Sequence, residues 1–518
     1  MPSDSGRSTS VWMATAELPT RSPLAADVSA DVCVVGAGIA GLTTAYLLGR
    51  EGKRVVVLDD GAVGGGETGR TTAHLTSALD DRYSDLEKLH GERGARLAAQ
   101  SHSAAVDRIE AVVGAERIDC DFERVDGYLF VPVGQSTDLL DQELEAARRS
   151  GLTGVERVPR APLPSFDTGP CLRFPRQAQF HPLKYLAALV RAVERDGGRV
   201  HTGTHATGFE GGAGARVTTE AGPVVSAQAI VVATNTPVND RVAIHTKQFP
   251  YRTYVVATRV PRGAVTRALY WDTADPYHYV RLQALEGDDA LIVGGEDHHT
   301  GQADDAEERW GRLEQWTSER FPMARAVEYR WSGQVMEPVD GLGFIGPNPG
   351  DEPNVFIATG DSGNGMTHGT IAGILITDLI VGHPNPWATL YSPSRVTLRA
   401  AGRFAKENLA AIAHYAGWAK RSEISSPDEI PRGSGAVVNR GLQKVALFRD
   451  EAGALSERSA VCTHLGCIVD WNSGEKTWDC PCHGSRFDPY GRVVNGPALH
   501  DLAPLADETG RYQPIPKK

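Results

Sequence analysis

The run Asp31-Val32-Cys33-Val34-Val35 leads without a break into Gly36-Ala37-Gly38-Ile39-Ala40-Gly41, and Leu42 to Arg50 then follows a helical pattern. A second apolar run, Arg54 to Leu58, ends on Asp59. A lone GxGxxG is a weak signal. Here it has a buried strand before it, a helix after it and an acid about 20 residues on, which together specify a strand–turn–helix–strand unit that binds a dinucleotide. In that unit Gly36 permits the tight turn, Gly38 lets the backbone approach a pyrophosphate, and Gly41 lets helix and strand pack closely. The helix N-terminus faces the phosphates, and Asp59 is placed to accept hydrogen bonds from ribose hydroxyls.

The 518 residues are enough for two or three packed cores. With 41% apolar and 23% charged residues, the chain reads as globular rather than disordered. Its net charge of -12 argues against nucleic acid as a partner, because phosphate backbones are held by clustered Lys and Arg. No apolar run approaches the roughly 20 residues of a membrane span. Residues 1–29 lack a basic start followed by an apolar run, so a cytoplasmic location is expected. The pattern divides into an N-terminal segment (1–29), a large α/β unit (30–393), a linker with helical pattern (394–432) and a small all-β module (433–518) with strands at Gly435 to Val438 and Lys444 to Arg449. Gly211-Gly212-Ala213-Gly214 reads as a hairpin turn rather than a second dinucleotide fingerprint, so no separate NAD(P)H domain is expected.

Three further segments of the α/β unit carry a resemblance. Gly64 to His74 (GGGETGRTTAH), the apolar strand Ala229 to Asn235, and Asn354 to Thr367 (NVFIATGDSGNGMT) occur in that order and spacing. Together with the fingerprint they resemble the D-amino-acid oxidase-like FAD superfamily, which includes sarcosine and glycine oxidases. The resemblance runs from Asp31 to about Gly382 and implies a Rossmann-like FAD domain interleaved with an antiparallel-sheet substrate domain. It implies FAD contacts from Gly69, Arg70, Thr71, Thr72, Gly360, Gly365, Met366 and Thr367, besides Gly36, Gly38, Gly41 and Asp59. Asp59 stands where that family more often has Glu. The last segment would set a helix N-terminus near the flavin pyrimidine ring, stabilising negative charge there.

Four of the seven cysteines crowd into residues 462–482. Cys462-Thr463-His464 and Cys480-Pro481-Cys482-His483 give C-x-H and C-x-x-H, a donor set that zinc could also use. The two loops resemble Rieske iron-sulfur proteins almost residue for residue. That resemblance implies that Cys462 and Cys480 hold one iron of a [2Fe-2S] cluster, His464 and His483 the other, and that Cys467 and Cys482 form a disulfide between the loops. An oxidised core of two ferric ions and two sulfides carries +2, so two thiolates and two neutral imidazoles bring the site to zero, where four thiolates would leave -2. Adding an electron is then easier, which raises the potential. Ser485 matches a family hydroxyl that donates to a bridging sulfide. Phe487 replaces the Tyr usual in bc-type domains, which donates to a cysteine sulfur, so a potential below that group is expected. His201 with His205, and Asp240 with His245, are the nearest approach to an oxygenase iron site; they read as ordinary strand or surface residues. Cys33, Cys120 and Cys171 read as buried structural thiols.

On the substrate side, Arg252 and Arg281 are candidates to clamp a carboxylate, and His74 lies beside a cofactor segment. Gly294 to His299 (GGEDHH) reads as a turn rather than a metal cluster. The whole chain resembles FAD-dependent oxidoreductases fused to a C-terminal Rieske domain. The resemblance implies oxidation of a small amine or amino-acid-like substrate at the flavin, with electrons passing to the cluster and on to an external acceptor. An oxygen-using oxidase with a sensory or structural Rieske domain, and an electron-transfer protein with no small-molecule substrate, remain open alternatives.

Overall fold

The computed structural model describes residues 5–239, 242–420, 422 and 424–505. At its centre lies a six-stranded sheet in the order Phe344–Pro347, Val355–Thr359, Ala229–Val232, Val32–Val35, Val55–Leu58, Arg199–His201, parallel except for its Phe344–Pro347 edge. Every residue of Val32–Val35, Val55–Leu58 and Ala229–Val232 is buried, which is why these strands read as unbroken apolar runs. Ile39–Arg50 and Gly365–Val381 pack together as helices beside this sheet. A smaller sheet contains Ala206–Glu210 and Arg216–Thr219, joined by the expected hairpin through Gly211–Gly214.

The substrate domain is a nine-stranded sheet running Val327–Pro338, Gln248–Pro261, Asp288–His299, His278–Ala284, Leu269–Asp272, Glu123–Phe130, Cys171–Gln179, His74–Leu75, with Glu156–Val158 on Cys171–Gln179. It is antiparallel apart from the pairing of Leu269–Asp272 with Glu123–Phe130. The sheet corrects one expectation: Gly294–His299 is the end of the Asp288–His299 strand, not a turn. A bulge between Arg252 and Tyr254 on the neighbouring strand lets it continue with Gly295 and Glu296 at positive φ.

The C-terminal module holds a three-stranded sheet (Ser434–Arg440, Gln443–Arg449, Leu455–Ser459) and a four-stranded one (Asp470–Asn472, Thr477–Asp479, Arg486–Phe487, Val493–Asn495). Between the domains the helix Ala401–His414 buries none of its residues and leaves Leu409 and Ile412 facing outward. The N-terminal segment is stitched into the molecule. Its helix Val11–Thr15 is capped by Ser10, whose Oγ donates to Gly69 O at 2.6 Å, and Trp12, fully buried, donates Nε1–H to Thr71 O at 2.6 Å. Among the described residues no helix is long and apolar enough to cross a membrane.

Candidate functional site

One large cavity opens at the carboxyl ends of the parallel strands, where α/β sheets place their ligands. Gly36 and Gly38 line it, and Gly36 adopts φ +109°, where a Cβ would stand 2.3 Å from Ala233 O. Gly41 lies behind the wall; a Cβ there would stand 1.9 Å from Gly36 O. Asp59, at the end of its strand, lines the cavity and accepts the Ala37 N–H at 2.6 Å and the Gly61 N–H at 2.9 Å. Thr68, which the sequence reading passed over, accepts the Ile39 N–H at 3.1 Å at the head of the first helix. These features make a cradle for a dinucleotide, and Asn235 Nδ2, buried on the wall without a hydrogen-bond partner among the described residues, adds a donor suited to it. FAD therefore fits the residues present.

Of the other cofactor candidates, Thr71, Thr72, Gly360, Gly365 and Met366 line the cavity, with Gly365 and Met366 opening the second helix toward it. Gly69 and Thr367 do not. A Cβ on Gly69 would meet Gly64 O at 2.6 Å, and Thr367 Oγ1 sits 2.8 Å from His102 Nδ1 on the far side of its helix. Arg70 touches the wall, but its buried guanidinium is committed to Glu475, Ser8 and the carbonyls of Gly6 and Ser332.

The two arginines expected to clamp a substrate do not line the cavity. Successive side chains on a strand point to opposite faces, and since Thr253 lines the cavity, Arg252 points away from it, donating to Ser332 Oγ at 2.7 Å with Asp479 at 3.7 Å. Arg281 is fully buried and donates to the carbonyls of Ala73 and Phe180 at 2.8 and 3.1 Å, so it braces the cofactor segment from behind. His74 does line the cavity, with Nδ1 3.0 Å from Thr72 Oγ1; burial, then nearby Arg281, lower its pKa to about 3, so the ring is neutral. The same cavity is lined by Tyr277 and Tyr279, by Asp361 of the closing motif, and by Asp80 and Trp271, which no motif marks. Tyr277 Oη donates to Asp80 Oδ2 at 3.4 Å, and Tyr279 Oη lies 2.6 Å from Thr253 Oγ1. Desolvation by the surrounding cavity walls, reinforced by Asp81 and Asp297, lifts Asp80 to about 7, and burial lifts Asp361 to about 6.

In the C-terminal module the thiols of Cys462 and Cys480 are hydrogen-bonded to each other. The rings of His464 and His483 stand edge to face, 5.0 Å apart, and Cys467 and Cys482 are joined as a disulfide. Backbone N–H groups of His464 and Leu465, with the Ser485 hydroxyl, point at the Cys462 sulfur, and those of Cys482 and His483 at the Cys480 sulfur. Donors arrayed around two paired sulfurs, opposite two imidazoles, suit a [2Fe-2S] cluster of mixed ligation. Cys33, Cys120 and Cys171 are buried apart from it, and burial raises all three thiols.

His245 corrects another expectation. It is buried, its ring 4.9 Å from His464 and 5.8 Å from His483, with Nε2 3.1 Å from Pro237 O. Asp240 lies outside the described residues. His205 bonds Leu499 O and Asp60, and His201 Nδ1 faces Ser22 O.

Phe487 is fully buried in the four-stranded sheet beside these loops. Phe487→Tyr, which restores a phenolic donor, is expected to raise the cluster midpoint potential within the range of about -150 to +300 mV open to this ligation. A redox titration showing no change or a fall would refute that role.

The two sites meet. Gln334, on the cavity wall, donates Nε2–H to Gly484 O at 3.1 Å, next to His483, and Val493 to Gly496, Ala498 and Leu499 complete the cavity wall from the C-terminal module.

Two family models match the chain: the FAD dependent oxidoreductase family over residues 31–379 and the Rieske [2Fe-2S] domain over residues 420–506. The Rieske 2Fe-2S iron-sulfur protein YhfW of Bacillus subtilis (strain 168) is 32% identical over 501 residues, spanning 95% of this chain and 96% of that protein. The gamma-glutamylputrescine oxidoreductase of Escherichia coli (strain K12) is 27% identical over 368 residues, 68% of this chain and 84% of that one. Among solved structures, glycine oxidase from Geobacillus kaustophilus superposes with a TM-score of 0.60 at 19% identity, covering 71% of this chain and 99% of its own, a likeness of fold.

Proposed function

The chain belongs to the FAD dependent oxidoreductase family and carries a Rieske [2Fe-2S] domain, and on that premise we propose that it oxidises a small amine or amino-acid-like substrate and delivers the electrons through the cluster to an external acceptor. The observation that carries this reading is the shared wall: Gln334 and the Val493 to Leu499 loop place the C-terminal module against the oxidoreductase cavity itself. FAD, when bound, supplies acceptance of a hydride from the carbon next to nitrogen, and a Rieske cluster supplies one-electron transfer.

The protein's own residues prepare that chemistry. The N-terminus of Gly365–Val381 points partial positive charge into the cavity. Arg281, Trp12 and Trp331 fix the carbonyls of residues 70–73, holding the cofactor segment rigid. Neutral His74 is free of charge that would repel an ammonium ion. Covalent fusion holds the two redox sites at high effective concentration. The relative that acts on gamma-glutamylputrescine supports an amine substrate.

Anaerobic mixing with candidate amines is expected to bleach the flavin and then reduce the cluster. Flavin bleaching with an oxidised cluster would favour the sensory alternative, and no bleaching with any amine or amino acid would favour a pure electron carrier.

A further inference from the structure

Resting on the reading that an amine is oxidised in this cavity, we propose that the substrate is a cationic amine that carries no carboxylate, with Asp80 and Asp361 setting that preference. An amino-acid substrate brings a carboxylate that needs a cationic partner, usually a guanidinium. None is offered. Arg252 and Arg281, the two candidates in the sequence, do not line the cavity: Arg252 is turned toward Ser332 and Asp479, and Arg281 is bonded to backbone carbonyls. Arg70 is held by Glu475 and the N-terminal segment. His74 is neutral.

What the wall presents instead is carboxylate and aromatic surface. Asp80 Oδ2 lies where a Cβ on Gly363 would stand, 2.0 Å away, and Asp361 Oδ2 lies 2.8 Å from the Cβ position of Gly365. Both carboxyls thus lie against the glycine-rich segment of the cofactor motif, and the two missing side chains are what admit them. Tyr277, Tyr279 and Trp271 stand on the same wall, and aromatic faces attract an ammonium group. Behind this surface lies more acid. Ser362 Oγ sits 2.6 Å from Asp81 Oδ2 and 2.8 Å from Glu337 Oε2, and one hydroxyl hydrogen cannot serve both, so a proton on one carboxyl completes the pair. Asp297 Oδ1 is buried with no hydrogen-bond partner among the described residues. The cations packed against this group sit on its outer side: Arg403, 3.8 Å from Asp81, and Arg309, bonded to the Glu296 carbonyl. A zwitterion would bring its carboxylate to an acidic wall; an alkylammonium finds two carboxyl acceptors, whose ionised form its charge favours, and three rings.

Two probes that cannot be oxidised separate recognition from chemistry. Butyltrimethylammonium and butyrate are titrated into the FAD-loaded, cluster-loaded full chain, following the flavin absorbance band. The cation is expected to perturb the band with a Kd at least tenfold below that of butyrate. Asp80→Asn and Asp361→Asn are each expected to weaken cation binding about tenfold, with FAD content and the cluster spectrum unchanged. Equal binding of the two probes, tighter binding of butyrate, binding of neither, or Asn variants that bind the cation as the parent does would each overturn the charge preference. In parallel, 1,4-diaminobutane and benzylamine are expected to bleach the flavin anaerobically faster than sarcosine and L-alanine. Bleaching by the amino acids alone overturns this inference and leaves the oxidoreductase reading standing, and bleaching by none of the four overturns the reading itself.

Discussion

Glu475→Gln is expected to destabilise the joint between the two domains by about 3 kcal/mol, the low end of the cost of unpairing a buried charge, because the amide still accepts hydrogen bonds. Glu475 belongs to the C-terminal module yet is 1% exposed. Its carboxylate receives Ser332 Oγ–H, Ser8 Oγ–H and the Ser8 N–H, and pairs with Arg70 at 3.2 Å. Arg252 and Arg486 approach the same centre, with Asp479 held 3.1 Å from Arg486 and Glu67 linked to Asn495. Three buried guanidinium groups therefore face three carboxylates drawn from both domains, and Arg486 also donates to Ser5 O of the N-terminal segment. Removing one carboxylate leaves positive charge uncompensated where water cannot reach it. Thermal release of flavin, followed by its fluorescence, should shift to lower temperature, and release indistinguishable from the parent would refute the role. The same centre sets an acid limit. Burial alone would push Glu475 upward, but Arg70, Arg252 and Arg486 hold it at about 2, below the 4.5 of a free Glu. A depressed carboxylate contributes stability above its unfolded value and loses it as pH falls through the folded one. The joint should thus weaken between about pH 4.5 and 2 in the parent, and less steeply in Glu475→Gln.

The sequence made the local constructions legible and the long-range ones opaque. Gly36 to Gly41 and Cys462 to His483 carry their geometry within a few dozen residues, because backbone conformation and ligand spacing dictate it. The charged centre joins Ser8, Arg70, Arg252, Ser332, Glu475 and Arg486, which no periodicity relates. Arg252 shows how a reasonable chemical expectation fails on parity: one residue along the strand separates the cavity face from the domain joint. Arg281 fails differently, since a buried guanidinium bracing backbone carbonyls looks in sequence like one awaiting a substrate. His245 reads in sequence as an ordinary strand or surface residue because its place beside His464 and His483 depends on how two modules dock. Asp80 had no motif to announce it, and Asp361 stood in the closing cofactor motif without being singled out; only the cavity shows that these carboxyls, rather than the arginines, face it.

Gly41→Ala should abolish most FAD binding while sparing the cluster. The new Cβ would lie 1.9 Å from the Gly36 carbonyl oxygen, a backbone atom that cannot rotate aside, so the helix Ile39–Arg50 must move off the turn. Overpacking of this kind costs about 1–3 kcal/mol, and at roughly 1.4 kcal/mol per tenfold the upper value corresponds to a loss of about a hundredfold in affinity. Gly49→Ala, on the same helix, is the control: its Cβ would meet only Asp196 Cβ, at 3.8 Å, and Ala favours a helix interior over Gly by about 1 kcal/mol. It should retain FAD and be as stable as the parent or more so. The iron-binding loops are held by their own disulfide and sheets, far along the chain, so the iron and sulfide content of Gly41→Ala should match the parent's. Full FAD occupancy in Gly41→Ala would mean that the turn does not seat the cofactor, and loss of iron along with FAD would mean that the two sites fold as one unit.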